Sequence, residues 1–226
     1  MDWNWEFAIS ILPKLYEGVK ITILASLLGS VVALLLGLMI AIGRRSGGAL
    51  VANTLRIVME FIRGTPLLVQ LYFVFYVLPD AGVFLSPLTA GVITLGVHYA
   101  CYTSEAYRAG IDNVDKGMWE AATAINLTPW QKWRHVVIPL AVPPMLPVLG
   151  NYVVAMFKET PLLATITVVE LMSHARSLSN MNYRYLEPMT MVGVFFLLVS
   201  IPSVIALHLL ERRVSAQQKR PRGSVW

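Results

Sequence analysis

The chain has 226 residues, 56% of them hydrophobic and only 14% charged, with a mean hydropathy of +0.63. Soluble domains run about 45–50% apolar and about 25% charged, so this composition excludes an ordinary cytosolic enzyme, a disordered chain and a disulfide scaffold. The net charge of +5 does not point to nucleic acid, because the charges sit between long apolar runs rather than on a polar surface. A lipid-embedded chain is the class that remains. The single cysteine, Cys101, cannot form an intramolecular disulfide.

The first residues, Met1 to Phe7, carry two tryptophans and no basic cluster, so they read as an interfacial segment at headgroup level rather than a cleaved signal peptide. A bilayer core about 30 Å thick takes roughly 20 apolar residues per helix. Five segments approach that length: Ile21–Ile42, Gly64–Leu78, Pro87–Ser104, Val136–Val169 and Pro188–Leu210. The expectation is an all-α, polytopic membrane protein with five transmembrane helices. Gly29, Ala33, Gly37 and Ala41 recur every fourth residue on the first span, a spacing that lets helices approach closely. The fourth segment is the least regular, and a short helix or re-entrant piece is expected after Pro161.

Thirteen of the eighteen Lys and Arg residues fall on one side of this arrangement. They are Arg44, Arg45, Arg56 and Arg63; Arg108, Lys116, Lys132 and Arg134; and Arg212, Arg213, Lys219, Arg220 and Arg222. Basic residues near spans stay cytoplasmic, which places the N-terminus outside and the C-terminus inside. Residues 1–18 then form an outer segment, 19–210 one transmembrane domain and 211–226 a basic cytoplasmic tail.

The inside stretch Gly110–Leu140 is longer than a connector needs to be. Met118–Ile125 is rich in helix formers, with Ala121, Ala122 and Ala124 as a small-residue face, and Asn126 follows as a left-handed cap. Thr128, Pro129 and Gln131 spell a capping box with proline at the first helical position. Trp130, Trp133, Val136 and Val137 form an apolar face, and Pro139 is expected to end the element. A rigid helix–turn–helix joined to spans three and four can act as a lever for a partner or can simply pack on its own bundle.

Glu120-Ala121-Ala122, three residues, Asn126, nine residues and Val136-Val137-Ile138-Pro139 resembles the signature loop of ABC importer permeases, with Asn126 in place of glycine. The resemblance implies that Gly117, Glu120, Ala121, Ala122, Asn126 and Pro139 shape a surface docked by an ATP-hydrolysing subunit. Phe61-Ile62-Arg63-Gly64-Thr65-Pro66-Leu67-Leu68-Val69-Gln70, Tyr107-Arg108-Ala109-Gly110-Ile111 and Lys158-Glu159-Thr160-Pro161-Leu162 are similar to polar amino acid permeases. Within that branch, Leu78-Pro79-Asp80 and Tyr183-Arg184-Tyr185-Leu186-Glu187-Pro188-Met189 resemble permeases for ectoine and hydroxyectoine. The family implies two ATP-binding subunits, a second permease subunit and an extracytoplasmic solute-binding protein as partners. It implies as substrate a polar amino acid or related zwitterionic compatible solute.

The sequence has no phosphate-binding loop and no metal-ligand spacing, so neither ATP binding nor a cofactor is expected in this chain, nor is nucleic acid. Ionisable groups at membrane depth need partners. Glu60 with Arg63, and Glu105 with Arg108, can self-pair at i, i+3. Lys158 and Glu159 project about 100° apart and cannot pair with each other. The segment Lys158–Pro161, including Thr160, either lines the translocation pathway or makes structural ion pairs to a neighbouring span or subunit. His98 and Asn151, with Tyr152, are further pathway candidates that can equally serve as interhelical hydrogen-bond groups. The rival class is an autonomous secondary transporter or channel.

Overall fold

The computed structural model describes residues 2–218, and every regular element among them is helical. The helices are α1 (Trp5–Ser46), α2 (Ala49–Gly64), α3 (Leu67–Tyr72), α4 (Pro87–Asp112), α5 (Lys116–Ala124), α6 (Pro129–Lys132), α7 (Ile138–Glu159), α8 (Leu171–Asn182) and α9 (Leu186–Gln218). Lys219, Arg220 and Arg222 of the basic tail lie outside the described residues. Three runs are long and apolar enough to cross a membrane: α1, Pro129–Ile166 and Leu186–Val214. A fourth counts if the bent α2–α3 pair is one span. Helix α4 is 26 residues long but carries His98, Tyr99, Tyr102 and several threonines, and it lies buried against α1 and α7.

Helix α1 is capped by the Asn4 side chain, which accepts from Phe7 N at 3.0 Å, and runs unbroken through Pro13 to Ser46. Its 42 residues span about 63 Å, roughly twice a bilayer core. The first turns pack on α8 and α9 through Ile11, Leu15, Leu171, Ala175, Leu178 and Val192. The later turns pack side by side with α4 along the small-residue stripe. A Cβ on Gly37 would overlap Thr103 Oγ1 and stand 2.9 Å from the Ala100 carbonyl oxygen. Thr103 Oγ1 donates across this contact to the Ala33 carbonyl at 2.8 Å. The stripe therefore lets two backbones meet and adds an interhelical hydrogen bond that larger residues would block.

The expected continuous second span, Gly64–Leu78, is broken. Thr65 is extended because the residue before a proline is pushed out of the helical region, and α2 and α3 diverge by 102° across Thr65-Pro66. The Gln70 side-chain amide donates to the freed carbonyls of Ile62 (2.7 Å) and Thr65 (3.1 Å). A π-turn (Phe73–Val77) and a 3-10 turn (Leu78–Ala81) come next, closed by left-handed Gly82.

Pro139 does not end its helix as the sequence led us to expect. A π-turn at Trp133–Val137, in which Ile138 N bonds to the Trp133 carbonyl, precedes it. The wider turn displaces the carbonyl that a proline ring would strike, so the chain continues as α7 through Pro139, Pro143, Pro144 and Pro147. Beyond Glu159 the helix tightens into a 3-10 segment, Thr160–Ile166, and stops at left-handed Thr167. Glu170 then caps α8, accepting from Met172 N (2.9 Å) and Ser173 N (2.8 Å), and Thr22 of α1 donates to it at 3.3 Å. Burial pushes this carboxyl above its ordinary range, against the pull of those three donors.

Candidate functional site: a capped hairpin and an aromatic cluster

The hairpin between α4 and α7 is built by local chemistry. Asp115 caps α5 through Gly117 N at 2.6 Å. At the far end Leu127 N bonds to the Ala122 carbonyl (3.1 Å) and Asn126 N to that of Thr123 (2.9 Å), with Asn126 at φ 54°. These are the two bonds of a Schellman ending, and asparagine tolerates the left-handed angle they require. Thr128 and Gln131 form a reciprocal capping box around Pro129. Lys132 Nζ, donating to Thr123 Oγ1 at 2.9 Å, ties the second arm to the first.

Two expectations about its faces need correction. Ala122 is buried under the hairpin while Ala121 and Ala124 are exposed, so the three alanines do not share one face. Trp130 is 68% exposed and stands apart from half-buried Trp133 and buried Val137, so the expected four-residue apolar face is not one buried surface. The outward surface comprises Glu120, Ala121, Ala124, Ile125 and Trp130, and Glu120 makes no ion pair among the described residues. Pro139 is exposed at the root of the hairpin, beyond this outward surface.

The inward surface is anchored at Arg45, which sequence reasoning left as one more inside charge. Its guanidinium lies 5.7 Å from the ring centres of both Trp119 and Trp133, which meet edge-on at 5.6 Å. It also pairs with Asp112 at 3.1 Å. Asp112 holds Arg108 (3.1 Å), Arg108 holds Glu105 (2.8 Å), and Glu105 holds Arg44 (2.5 Å). The hairpin is thus bolted to the ends of α1 and α4 together. Glu105 and Arg108 do self-pair at i, i+3, as do Glu60 and Arg63 at 2.9 Å, but Glu105 and Arg108 belong to a longer chain of charges. Removing the guanidinium removes about 1–1.5 kcal/mol of exposed ion pair and cation–π attraction. Arg45→Ala should therefore open the hairpin and speed limited proteolysis within residues 113–128 about tenfold.

Further into the bundle, α3, α4 and α7 bring together polar groups distant in sequence. His98 Nδ1 lies 3.2 Å from Gln70 Oε1, and Tyr99 donates to Glu159 at 2.8 Å. The His98 ring stands 5.3 Å from Tyr102, and Tyr102 stands 5.7 Å from Tyr152. Of the pathway residues expected from sequence, His98, Tyr152 and Glu159 join this cluster. Asn151 does not: it is exposed and makes no side-chain hydrogen bond among the described residues. Thr160 is buried and bonds its own helix through Phe157 O at 2.7 Å. Lys158 points the other way, exposed beside Pro161, Phe196 and Ser200 in an apolar groove of about 630 Å³ between α7 and α9. Gln70, Tyr99 and Tyr102 were missed. The two tyrosines had a signal, since with His98 they put three aromatic or imidazole residues within five positions of an otherwise apolar span.

Residues 10–216 match the family described as binding-protein-dependent transport system inner membrane component. The chain belongs to that family. A probable amino-acid ABC transporter permease of Sinorhizobium fredii is 40% identical over 205 residues, covering 91% of this chain and 89% of that protein. The glutamine transport system permease of Escherichia coli is 35% identical over 216 residues, covering 95% and 99%. A crystal structure of an amino acid ABC transporter with histidines superposes with a TM-score of 0.87 at 32% identity, covering 94% of this chain and all of that one. The inward-facing MetNI methionine ABC transporter shares the fold, with a TM-score of 0.68 at 16% identity. As a permease component of an ABC importer the chain is not itself an enzyme, and an autonomous channel or secondary transporter is not favoured.

Proposed function

We propose that this permease forms the substrate path of an ATP-driven importer for a polar amino acid or a closely related zwitterion. The names of its relatives support an amino acid. The comparisons do not support the narrower ectoine reading, and the residues behind it do structural work. Leu78–Ala81 is a 3-10 turn, Tyr183 is the left-handed cap of α8, and Arg184 pairs with Glu187. None of them reaches the His98–Tyr152 cluster.

The single observation that carries the reading is the hairpin. It is capped at both arms, bolted through Arg45 to two long helices, and presents outward two large apolar side chains and an acid that is unpaired among the described residues. Glu120, Ala121, Ile125 and Trp130 meet one of two ATP-binding subunits, while Gly117, Ala122, Asn126 and Pro139 fix the shape behind that surface. Closure of those subunits pushes the hairpin, and Arg45 passes the displacement to α1 and α4. The chain crosses the inner membrane five times with its N-terminus outside, its hairpin and C-terminus inside, and a second permease subunit beside it. This orientation is supported by Arg44, Arg45, Lys116, Lys132 and Arg134 sharing one end of the bundle. A binding protein delivers substrate from the opposite end.

His98, Tyr99, Tyr102, Tyr152, Gln70 and Glu159 line the path. Aromatic faces and one carboxylate suit the ammonium group of an amino acid. Uptake of labelled glutamine or histidine by proteoliposomes holding the complete complex tests this. Glu159→Gln should lower uptake about tenfold or more and weaken substrate stimulation of ATP hydrolysis. Unaltered uptake with unaltered stimulation would restrict Glu159 to a structural role.

A further inference from the structure

At the end of α1 a cavity of about 340 Å³ opens between α1, α2 and α4, lined by Ala41, Arg44, Arg45, Ala52, Asn53, Arg56, Arg108 and Asp112. Four guanidiniums face it. Two carboxylates, Asp112 and Glu105, answer them, so two positive charges stay uncompensated. One of the two belongs to the three paired arginines, which share two carboxylates, and the other to Arg56, which is exposed and makes no hydrogen bond or ion pair among the described residues. Asn53, one turn before it, is also without a partner among the described residues and offers an amide N–H.

The depth of the cavity is fixed by sequence. The uncharged run of α1 that begins at Ile21 ends at Ile42, and the next charge is Arg44, so the cavity lies where hydrocarbon gives way to headgroups, whichever side faces the cytoplasm. Exposed Ile42 on α1, and Ile57 and Val58 on α2, supply apolar surface beside it. A concave cluster of guanidiniums matches phosphate oxygens with paired, charge-assisted hydrogen bonds, and basic pockets between helices at this level suit anionic headgroups.

We propose that this cavity binds the phosphodiester of an anionic phospholipid, with Arg56 and Asn53 as the free donors and the ion-paired chain Arg44–Glu105–Arg108–Asp112–Arg45, three guanidiniums against two carboxylates, as a fixed wall. The uncompensated charge favours an anionic lipid such as phosphatidylglycerol over zwitterionic phosphatidylcholine. The ion-paired arginines hold the wall rigid whether or not lipid is present.

Native mass spectrometry of the full-length permease in detergent, titrated with phosphatidylglycerol and phosphatidylcholine, tests the assignment. A basic residue near the membrane surface is worth about 1 kcal/mol of attraction to anionic lipid, a factor of about five. Arg56→Gln should cut the preference for phosphatidylglycerol about fivefold, and Arg213→Gln, an exposed arginine on α9, should leave it unchanged. Inorganic phosphate is the second arm. Competition by millimolar phosphate that Arg56→Gln abolishes supports the same phosphate site while allowing a free anion as occupant. Equal losses in both variants would reduce the effect to general surface charge and overturn the proposal, as would no loss in either. Arg56→Gln that leaves lipid preference intact but weakens association with the ATP-binding subunit would assign the pocket to protein and also overturn it.

Discussion

Glu120→Arg lowers ATP-dependent uptake at least about a hundredfold while the permease remains folded and inserted. The side chain is exposed, makes no ion pair among the described residues, and sits beside Ala121 on the outward surface of the hairpin. No described residue depends on it for a hydrogen bond or ion pair, so its loss costs the isolated subunit nothing measurable. A groove that receives a carboxylate supplies cations or N–H donors to it. Reversing the charge there sets like against like in a desolvated contact, at a cost of several kcal/mol. Each 1.4 kcal/mol is a factor of ten, so the association that drives transport falls by two decades or more. The check is uptake by reconstituted complexes, alongside membrane fractionation and size-exclusion chromatography of the permease alone. Wild-type uptake would remove Glu120 from the contact, and loss of the permease from the membrane would make the defect one of folding.

Gly37→Leu gives the opposite pattern, a permease that fails before it meets any partner. Even a methyl group at this position overlaps Thr103 Oγ1 and presses on the Ala100 carbonyl. A leucine forces α1 and α4 apart and breaks the Thr103–Ala33 hydrogen bond. Overpacking costs about 1–3 kcal/mol and the lost bond about 1 kcal/mol, a sum of about 2–4 kcal/mol. The internal control is Gly193 in α9, where an added Cβ meets nothing within 4 Å. Gly193→Ala should be neutral or stabilising by about 0.5–1 kcal/mol, as alanine is preferred in a helix. Thermal unfolding of the detergent-solubilised subunits separates the two. Equal melting of Gly37→Leu and wild type would show that the stripe is not a close contact.

Both sites draw on features that were legible in the sequence to different degrees. Local rules carried far. The capping box at Thr128–Gln131, the left-handed Asn126 and the small-residue stripe of α1 are written in spacings of three or four residues. The π-turn at Trp133–Val137 was not legible, because whether a proline stops a helix depends on where one carbonyl four residues earlier points. That single turn carried the helix past Pro139. The break at Thr65-Pro66 was readable from the proline but was outweighed by the apolar run around it.

Long-range partners were the least legible. Nothing local marks Arg45 rather than its neighbour Arg44 as the residue that stacks on Trp119 and Trp133, since its ring partners lie more than seventy residues away. The divergence of Lys158 and Glu159 followed from helical geometry. Their destinations did not: one faces Tyr99 and the other an apolar groove beside α9.

The whole account turns on the hairpin being the point where the ATP-binding subunit grips the permease. With buried Cys101 replaced by alanine, a cysteine introduced at exposed Ala124 is the single cysteine of this permease chain in the assembled complex. The account predicts that this cysteine crosslinks to the ATP-binding subunit in a nucleotide-dependent yield and is shielded from impermeant thiol reagents added outside intact cells. Labelling from outside, or crosslinks that never reach the ATP-binding subunit in any nucleotide state, would contradict it.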